Sequence, residues 1–284
     1  SVQGSKYWFN CNPDGPYHWF KINWINKSTG YLGKEKTAKV RAEAAAKGLE
    51  AGLKNILYVH FTMDDNLSLS EEIKARYRSM YTGVFFKRYI LGLWAMAEGI
   101  IYDMFDADKH VQKITDFFRC LKDGGRYVSC DYGTQNATVF LLWNKGNNGK
   151  WYCVREYYYS GRAKGKQKTD GEYADDFEKW LDGVPIRAVI VDPAAASFIA
   201  ELRKRGYRVL KADNDVEDGI REVASMLNMG LLVFCDTCIN TIMEFGSYIW
   251  DEKAAQQGED RPVKENDHAM DAVRYFVYTI LSKR

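Results

Sequence analysis

The sequence predicts a mixed α/β fold, a sheet flanked by helices, and three observations carry that reading. Thr138 to Trp143 and Trp151 to Tyr159 are strand-like and are joined by Gly146-Asn147-Asn148-Gly149, the composition of a hairpin turn. Ala188 to Val191 is a short, continuous, largely β-branched run, as expected of a parallel strand buried on both faces. From there onward helical and strand patterns alternate, the order of an α/β sheet.

The elements follow in order. Lys6-Tyr7-Trp8-Phe9-Asn10-Cys11 reads as a short aromatic strand running into the turn Asn12-Pro13-Asp14-Gly15-Pro16. Residues 34–54 are rich in Lys, Ala and Glu and read as helix or exposed loop. Ile56 to Phe61 has the composition of a buried strand. Ser70 caps a helix through about Met80, with Glu71 and Glu72 favourable in its first turn. A second helical stretch covers Val84 to Leu91, and Gly92 to Phe105 reads as a connector. Tyr127 to Cys130 is the first strand of the second half, ahead of the hairpin. Thr169-Asp170-Gly171-Glu172 is a capping box opening a helix with Tyr173, Phe177 and Leu181 on one face. A helix over Ala195 to Arg205, a strand near Tyr207 to Leu210, an amphipathic helix marked by Val216, Ile220, Val223 and Leu227, and a strand over Leu231 to Phe234 come next. A helix near Ile239 to Phe245, a polar loop at 251–264 and a helix over Asp267 to Leu281 complete the series.

The 284 residues suit one large domain or two smaller ones, and 46% hydrophobic content supports a packed core. The net charge of +2, from 40 basic and 38 acidic residues, does not announce a nucleic-acid binder, so any such surface must come from local clustering. No apolar run approaches the ~20 residues that span a bilayer, and no signal peptide is visible. The six cysteines lack framework spacing, which favours reduced thiols in a cytoplasmic setting. Cys235-Asp236-Thr237-Cys238 is a lone CxxC with no second pair, read as buried small side chains after a strand rather than a zinc site.

Three acids stand where predicted elements meet solvent. Asp131 ends the first strand of the second half, Asp192 ends the buried parallel strand, and Asp271 lies early in the last helix. Each has a plain explanation alone: a turn before Gly133, a strand exit before Pro193, an exposed helix residue with Asp267 as N-cap. Jointly, carboxylates from separate elements gathered at one sheet edge can hold two divalent cations and so serve phosphodiester cleavage. Asp267 and Asp271 are four apart, and His268 and Asp271 three apart, so both pairs share one helical side. His268 is a proton carrier, a direct metal ligand, or a polar residue that merely opens the helix.

This order of strands, helices and acids matches a ribonuclease H-like arrangement. Val128-Ser129-Cys130-Asp131-Tyr132-Gly133, Val191-Asp192-Pro193-Ala194 and Asn266-Asp267-His268-Ala269-Met270-Asp271-Ala272-Val273-Arg274-Tyr275 resemble the three nuclease motifs of the large terminase subunit of tailed bacteriophages, the last being the most specific. The resemblance implies a ribonuclease H-like nuclease over 111–284, preceded over 1–110 by the rear of an α/β motor domain and a linker. Phe9-Asn10-Cys11-Asn12-Pro13 resembles that motor's coupling strand and turn, and Trp94 to Tyr102 its junction with the nuclease. It further implies Asp131, Asp192, Asp271 and His268 as catalytic residues. The ions would be Mg²⁺ or Mn²⁺, held by the three acids with Asp267 as a further ligand. Double-stranded DNA, a portal protein and a small terminase subunit are the implied partners, with no membrane, in the host cytoplasm. No G-x-x-x-x-G-K-[ST] loop occurs, so the resemblance covers only the rear part of such a subunit and predicts no ATP hydrolysis by this chain.

Ser160 to Lys168 carries Arg162, Lys164, Lys166 and Lys168 in a Gly-containing segment beyond the third strand. It reads either as a phosphate-contacting loop or as a solvated one, and its place beside the acidic edge favours DNA. Tyr157, Tyr158 and Tyr159 read as strand aromatics packed against helices rather than as a base-stacking platform. Three functions compete: a terminase nuclease, another ribonuclease H-like nuclease of resolvase or integrase type, and a non-cleaving motor fragment that docks on the portal and grips DNA. The motor-like first half argues against the second.

Overall fold

The computed structural model describes residues 7–28, 42–43, 45–46, 54, 56–133 and 136–282. It divides into two compact units, one of residues 1–98 with 251–260 and one of 99–250 with 261–284. No helix among the described residues is long and apolar enough to cross a membrane.

In the first unit, helix α1 (Glu71–Met80) begins where Ser70 Oγ accepts a hydrogen bond from Ile73 N at 3.3 Å. The expected second helical stretch is an α-helical turn at Gly83–Phe85 that continues as a five-residue π-helix at Phe86–Ile90. Arg88 is buried there, and its guanidinium pairs with Asp14 at 3.0 Å and with Asp260, and donates to Ala95 O. Neither strand expected in this half forms among the described residues. Residues 7–11 and 56–61 carry no regular structure, and Trp8, Phe9, Leu57, Val59 and Phe61 are exposed. A β-pattern becomes a strand only where a neighbour completes the hydrogen-bond ladder, and no neighbour does so among the described residues. Lys6 and most of residues 34–54 lie outside the described residues.

The second unit holds a seven-stranded sheet of β1 (Val111–Gln112), β2 (Tyr127–Asp131), β3 (Ala137–Lys145), β4 (Trp151–Ser160), β5 (Ala188–Val191), β6 (Val209–Lys211) and β7 (Leu232–Cys235), in the order β1-β7-β4-β3-β2-β5-β6. β2, β3 and β4 are antiparallel neighbours, while β5 joins β2 and β7 joins β4 in parallel. β1 is not foreshadowed in the sequence, since its two residues are too few to leave a pattern. The polar loop expected at 251–264 contains a short helix, Glu252–Gln256, capped by Asp251 and belonging to the first unit.

Period-two alternation sorts the strand residues between faces. Val128, Cys130, Phe140, Val189 and Val191 pack with Tyr173, Phe177 and Leu181 of helix α2 (Asp170–Leu181) and with Phe198 and Leu202 of α3 (Ala196–Lys204). The Thr169–Glu172 capping box forms as expected. The intervening residues, Ser129 and Asp131 of β2 and Ile190 of β5, with Asp192 just beyond it, therefore point to the other face. That face carries α4 (Val216–Asn228), α5 (Ile239–Ser247) and α6 (His268–Phe276). Phe276 of α6 stacks on Trp143 with ring centroids 4.4 Å apart, and Trp143 Nε1 donates to Ser129 Oγ at 2.9 Å. Full burial of an aromatic of this size contributes on the order of 1.5–3 kcal/mol, which fixes α6 across β2 and β3. The tyrosine run packs as expected: Tyr157 stacks on Phe140, Tyr159 abuts Tyr173, and Tyr158 turns to the α5 side.

Candidate metal centre

Cys130 and Val191 are register partners in the parallel β2–β5 pair, so the next residues, Asp131 and Asp192, leave the sheet side by side at its carboxyl edge. On α6, residues i, i+3 and i+7 share a face, and His268, Asp271 and Tyr275 occupy those positions. The result is a cleft of about 370 Å³ whose lining includes Asp131, Asp192, Lys264, Asp267, His268 and Asp271. All four acids expected as metal ligands, together with His268, are brought to this one place.

Each acid is held by a named partner. His268 Nδ1 and Asp131 Oδ2 are 2.9 Å apart. Asp192 Oδ2 accepts from the Tyr275 hydroxyl at 2.5 Å, and its Oδ1 accepts from Ala194 N at 2.7 Å, so the residue caps its own turn as well as facing the cleft. Asp271 Oδ1 accepts from Arg274 Nη2 at 2.8 Å. Arg274 is itself anchored to the carbonyls of Asn214 and Asp215 at 2.9 and 3.1 Å. Gly219 of α4 makes room for that arginine, since a Cβ there would stand 2.5 Å from Arg274 Cγ. Lys264 Nζ lies 3.1 Å from Asp267 Oδ2 and 3.2 Å from Asp271 Oδ2. The sequence reading gave no role to Lys264, Arg274 or Tyr275. Their signal was only proximity to the acidic motif, since nothing in residue type marks them as partners.

The electrostatics are those of crowded carboxylates out of water. Burial, then the charges of Asp271 and Asp267, push Asp131 above the usual carboxylate range, against the opposing pull of His268. Burial disfavours the His268 imidazolium, but its hydrogen bond to Asp131 and the charges of Asp131, Asp267 and Glu244 outweigh this and raise its pKa. Lys264 is likewise raised, burial being overcome by Asp271 and Asp267. Burial and the neighbouring carboxylates keep the Tyr275 phenol protonated. Asp267 is 4% exposed, and its buried Oδ2 has the Lys264 ammonium 3.1 Å away. An excess of buried negative oxygen fits a hard divalent cation, which takes oxygen ligands.

The basic segment lies at the same sheet edge. Ser160 pairs with Ala137, two rungs beyond the Asp131–Val139 pair. It is not a loop throughout: Gly161–Lys164 is a helical turn capped by Ser160 Oγ and closed by Gly165 at φ 64°, in the left-handed region. Arg162 and Lys164 are exposed. Lys166 is exposed but pairs with Glu172 at 3.5 Å. Lys168 is drawn inward, ion-paired with Asp176 and 4.1 Å above the Tyr159 ring. The four charges expected to act alike are thus of two kinds. Cys235 and Cys238 are buried, in keeping with their reading as packed side chains.

The family described as the terminase RNaseH-like domain matches residues 130–279, which include Asp131, Asp192, Asp267, His268 and Asp271. The chain belongs to this family. Among its relatives, the large terminase subunit of Escherichia phage T5 is 26% identical over 250 residues, 84% of this chain and 55% of that protein. The large terminase of a thermophilic bacteriophage, solved in complex with ADP, is 53% identical and superposes with a TM-score of 0.84 over 99% of this chain and 64% of that one. The same protein in complex with ATP-gamma-S matches equally, at 53% identity and TM-score 0.84. The chain therefore spans about half the length of the curated relative and under two thirds of the solved one. A ribonuclease H-like mixed sheet flanked by helices is the fold of this family, as the strand order and acid placement predicted.

Proposed function

We propose that this chain carries the metal-dependent endonuclease of a viral DNA-packaging terminase and cuts concatemeric double-stranded DNA. The observation that carries the reading is the meeting of Asp131, Asp192, Asp267 and Asp271, from two strands and a helix, around one cleft. These four side chains would hold Mg²⁺ or Mn²⁺. A pair of such ions, when bound, activates a water and stabilises the leaving oxygen of a phosphodiester. The chain's own residues do the rest. Tyr275 and Arg274 hold Asp192 and Asp271 in place, His268 keeps a proton beside Asp131, and the exposed Arg162 and Lys164 contact DNA phosphates. Residues 1–110 serve as the rear of a motor domain and its linker, and 111–284 as the nuclease. The portal protein, the small subunit and the host cytoplasm complete the proposed setting.

The test is cleavage of supercoiled plasmid by the purified chain in Mg²⁺ or Mn²⁺, with and without EDTA. Metal-dependent nicking and linearisation are expected, lost in Asp131→Asn and Asp271→Asn while the circular dichroism spectrum is retained. Cleavage that persists in both variants, or a wild-type chain that binds DNA but cuts in neither metal, would refute the reading. The second outcome would favour a fragment that grips DNA without cutting.

A further inference from the structure

A helix leaves its first backbone N–H groups without intrahelical partners, and an Asp at the N-cap normally accepts one of them. Asp267 stands at the N-cap of α6, yet its side chain makes no capping hydrogen bond. The amides are satisfied from elsewhere. Glu244, at the buried face of α5, accepts from Ala269 N at 2.7 Å and from Met270 N at 3.3 Å through Oε2, and from the Tyr158 hydroxyl at 2.9 Å through Oε1. It is 4% exposed, in a helix whose other buried members are Thr241 and Phe245.

Glu244 is itself placed by the same device one step back. The N-cap of α5, Cys238, makes no side-chain capping bond either. Instead Glu156 of β4 accepts from Asn240 N at 3.1 Å and Thr241 N at 2.6 Å, and from their side chains at 2.7 and 2.6 Å. Glu156 and Tyr158 are two apart on one strand, so both point to the α5 side. A strand residue thus fixes the start of α5, and an α5 residue fixes the start of α6.

We propose that Glu244 is a positioning residue for the metal centre: by capping α6 in place of Asp267, it leaves the Asp267 carboxylate free to enter the cleft as a ligand. An Asp267 carboxylate turned to the amides of its own first turn would give up an oxygen that it now presents to the cleft. The inference rests on the metal-binding reading above. Removing Glu244 leaves two buried amides open, and Asp267 is the nearest acceptor built to fill an N-cap. In Glu244→Ala the side chain of Asp267 turns to its own helix and the cleft loses a ligand. Gln at 244 keeps the arrangement, since its carbonyl oxygen accepts from both amides and its NH₂ group donates to the Tyr158 oxygen.

The test is calorimetric titration of the full chain with Mn²⁺ alone, after thermal melts confirm folding. Glu244→Ala should bind ~10- to 100-fold more weakly, the range seen when a residue supporting a metal ligand is removed. Glu244→Gln should stay close to wild type. The deciding comparison is made in an Asp267→Ala background, where adding Glu244→Ala should cost no further Mn²⁺ affinity although it still lowers the melting temperature. Unchanged affinity in Glu244→Ala would overturn the proposal. So would an equal loss with and without Asp267, which would mean that Glu244 only stiffens the helix. If Glu244→Ala does not fold, Glu244→Asp, one methylene too short to reach the two amides, takes its place with the same expected contrast. A wild-type chain that binds no Mn²⁺ would sink the metal reading itself, and this inference with it.

Discussion

His268 Nδ1 and Asp131 Oδ2 lie 2.9 Å apart across the gap between α6 and β2, two residues 137 positions apart in sequence. The pairing gives His268 two possible duties, to steady a ligand or to hold a proton. They separate in a variant. His268→Ala is expected to lower plasmid cleavage by ~100-fold, the usual scale of a lost acid–base group, while Mn²⁺ affinity falls by less than ~10-fold. Equal losses in cleavage and affinity would assign His268 to the ligand sphere.

Lys264 occupies cation space. Its ammonium lies within 3.2 Å of oxygens of both Asp267 and Asp271, and its side chain is 63% exposed. An incoming divalent ion must compete with it. Lys264→Ala should therefore tighten Mn²⁺ binding modestly, by about two- to fivefold, in keeping with the small worth of exposed ion pairs. Weaker binding in this variant would mean that the lysine helps to order the loop rather than competing for the acids.

The basic turn should divide when mutated. Arg162→Ala and Lys164→Ala together are expected to reduce the log–log salt slope of duplex DNA binding by about 0.9 for each phosphate no longer neutralised, with no change in melting temperature. Lys168→Ala should do the reverse, lowering stability because it strips Asp176 and the Tyr159 face of their cation. Salt titrations and melts on the same samples distinguish these outcomes, and an unchanged slope in the double variant would leave Arg162 and Lys164 as solvated charges.

Glu244 gives a pH signature in the metal-free chain. Burial lifts its carboxyl to about 7 against the usual 4.5, despite the hydrogen bonds it accepts. Its folded pKa is thus above its unfolded one, so between these values the folded state binds more protons and stability falls as pH rises. Glu244→Gln has no such proton to lose. The melting temperature of Glu244→Gln relative to wild type, measured in EDTA, should climb from pH 4.5 to 7 and then level off. A relative fall over that range would show that the first turn of α6 holds Glu244 as the anion.

Much of the second unit was readable because each strand and helix must bury one face, and that requirement leaves a period in the sequence. Asp131 and Asp192 could be placed at one edge because both end apolar runs. What escaped was long-range in origin. Glu244 interrupts the apolar side of α5, a local conflict that makes sense only once α6 and its open amides stand beside it. Lys264 looked like any residue of a polar stretch, and β1 owes its two rungs entirely to β7. In the first unit, Ile56 to Phe61 had strand composition without a paired neighbour among the described residues, and composition alone does not supply one.

The order in which the centre acquires its parts follows from where those parts lie along the chain. Asp131 and Asp192 come from the β2–β5 pair, but Asp267, His268 and Asp271 arrive about 75 residues later, at the start of α6. A polypeptide still growing on the ribosome and not yet past α6 carries half a cation site. The proposed cutting activity therefore waits on the synthesis of α6, which follows every strand of the sheet.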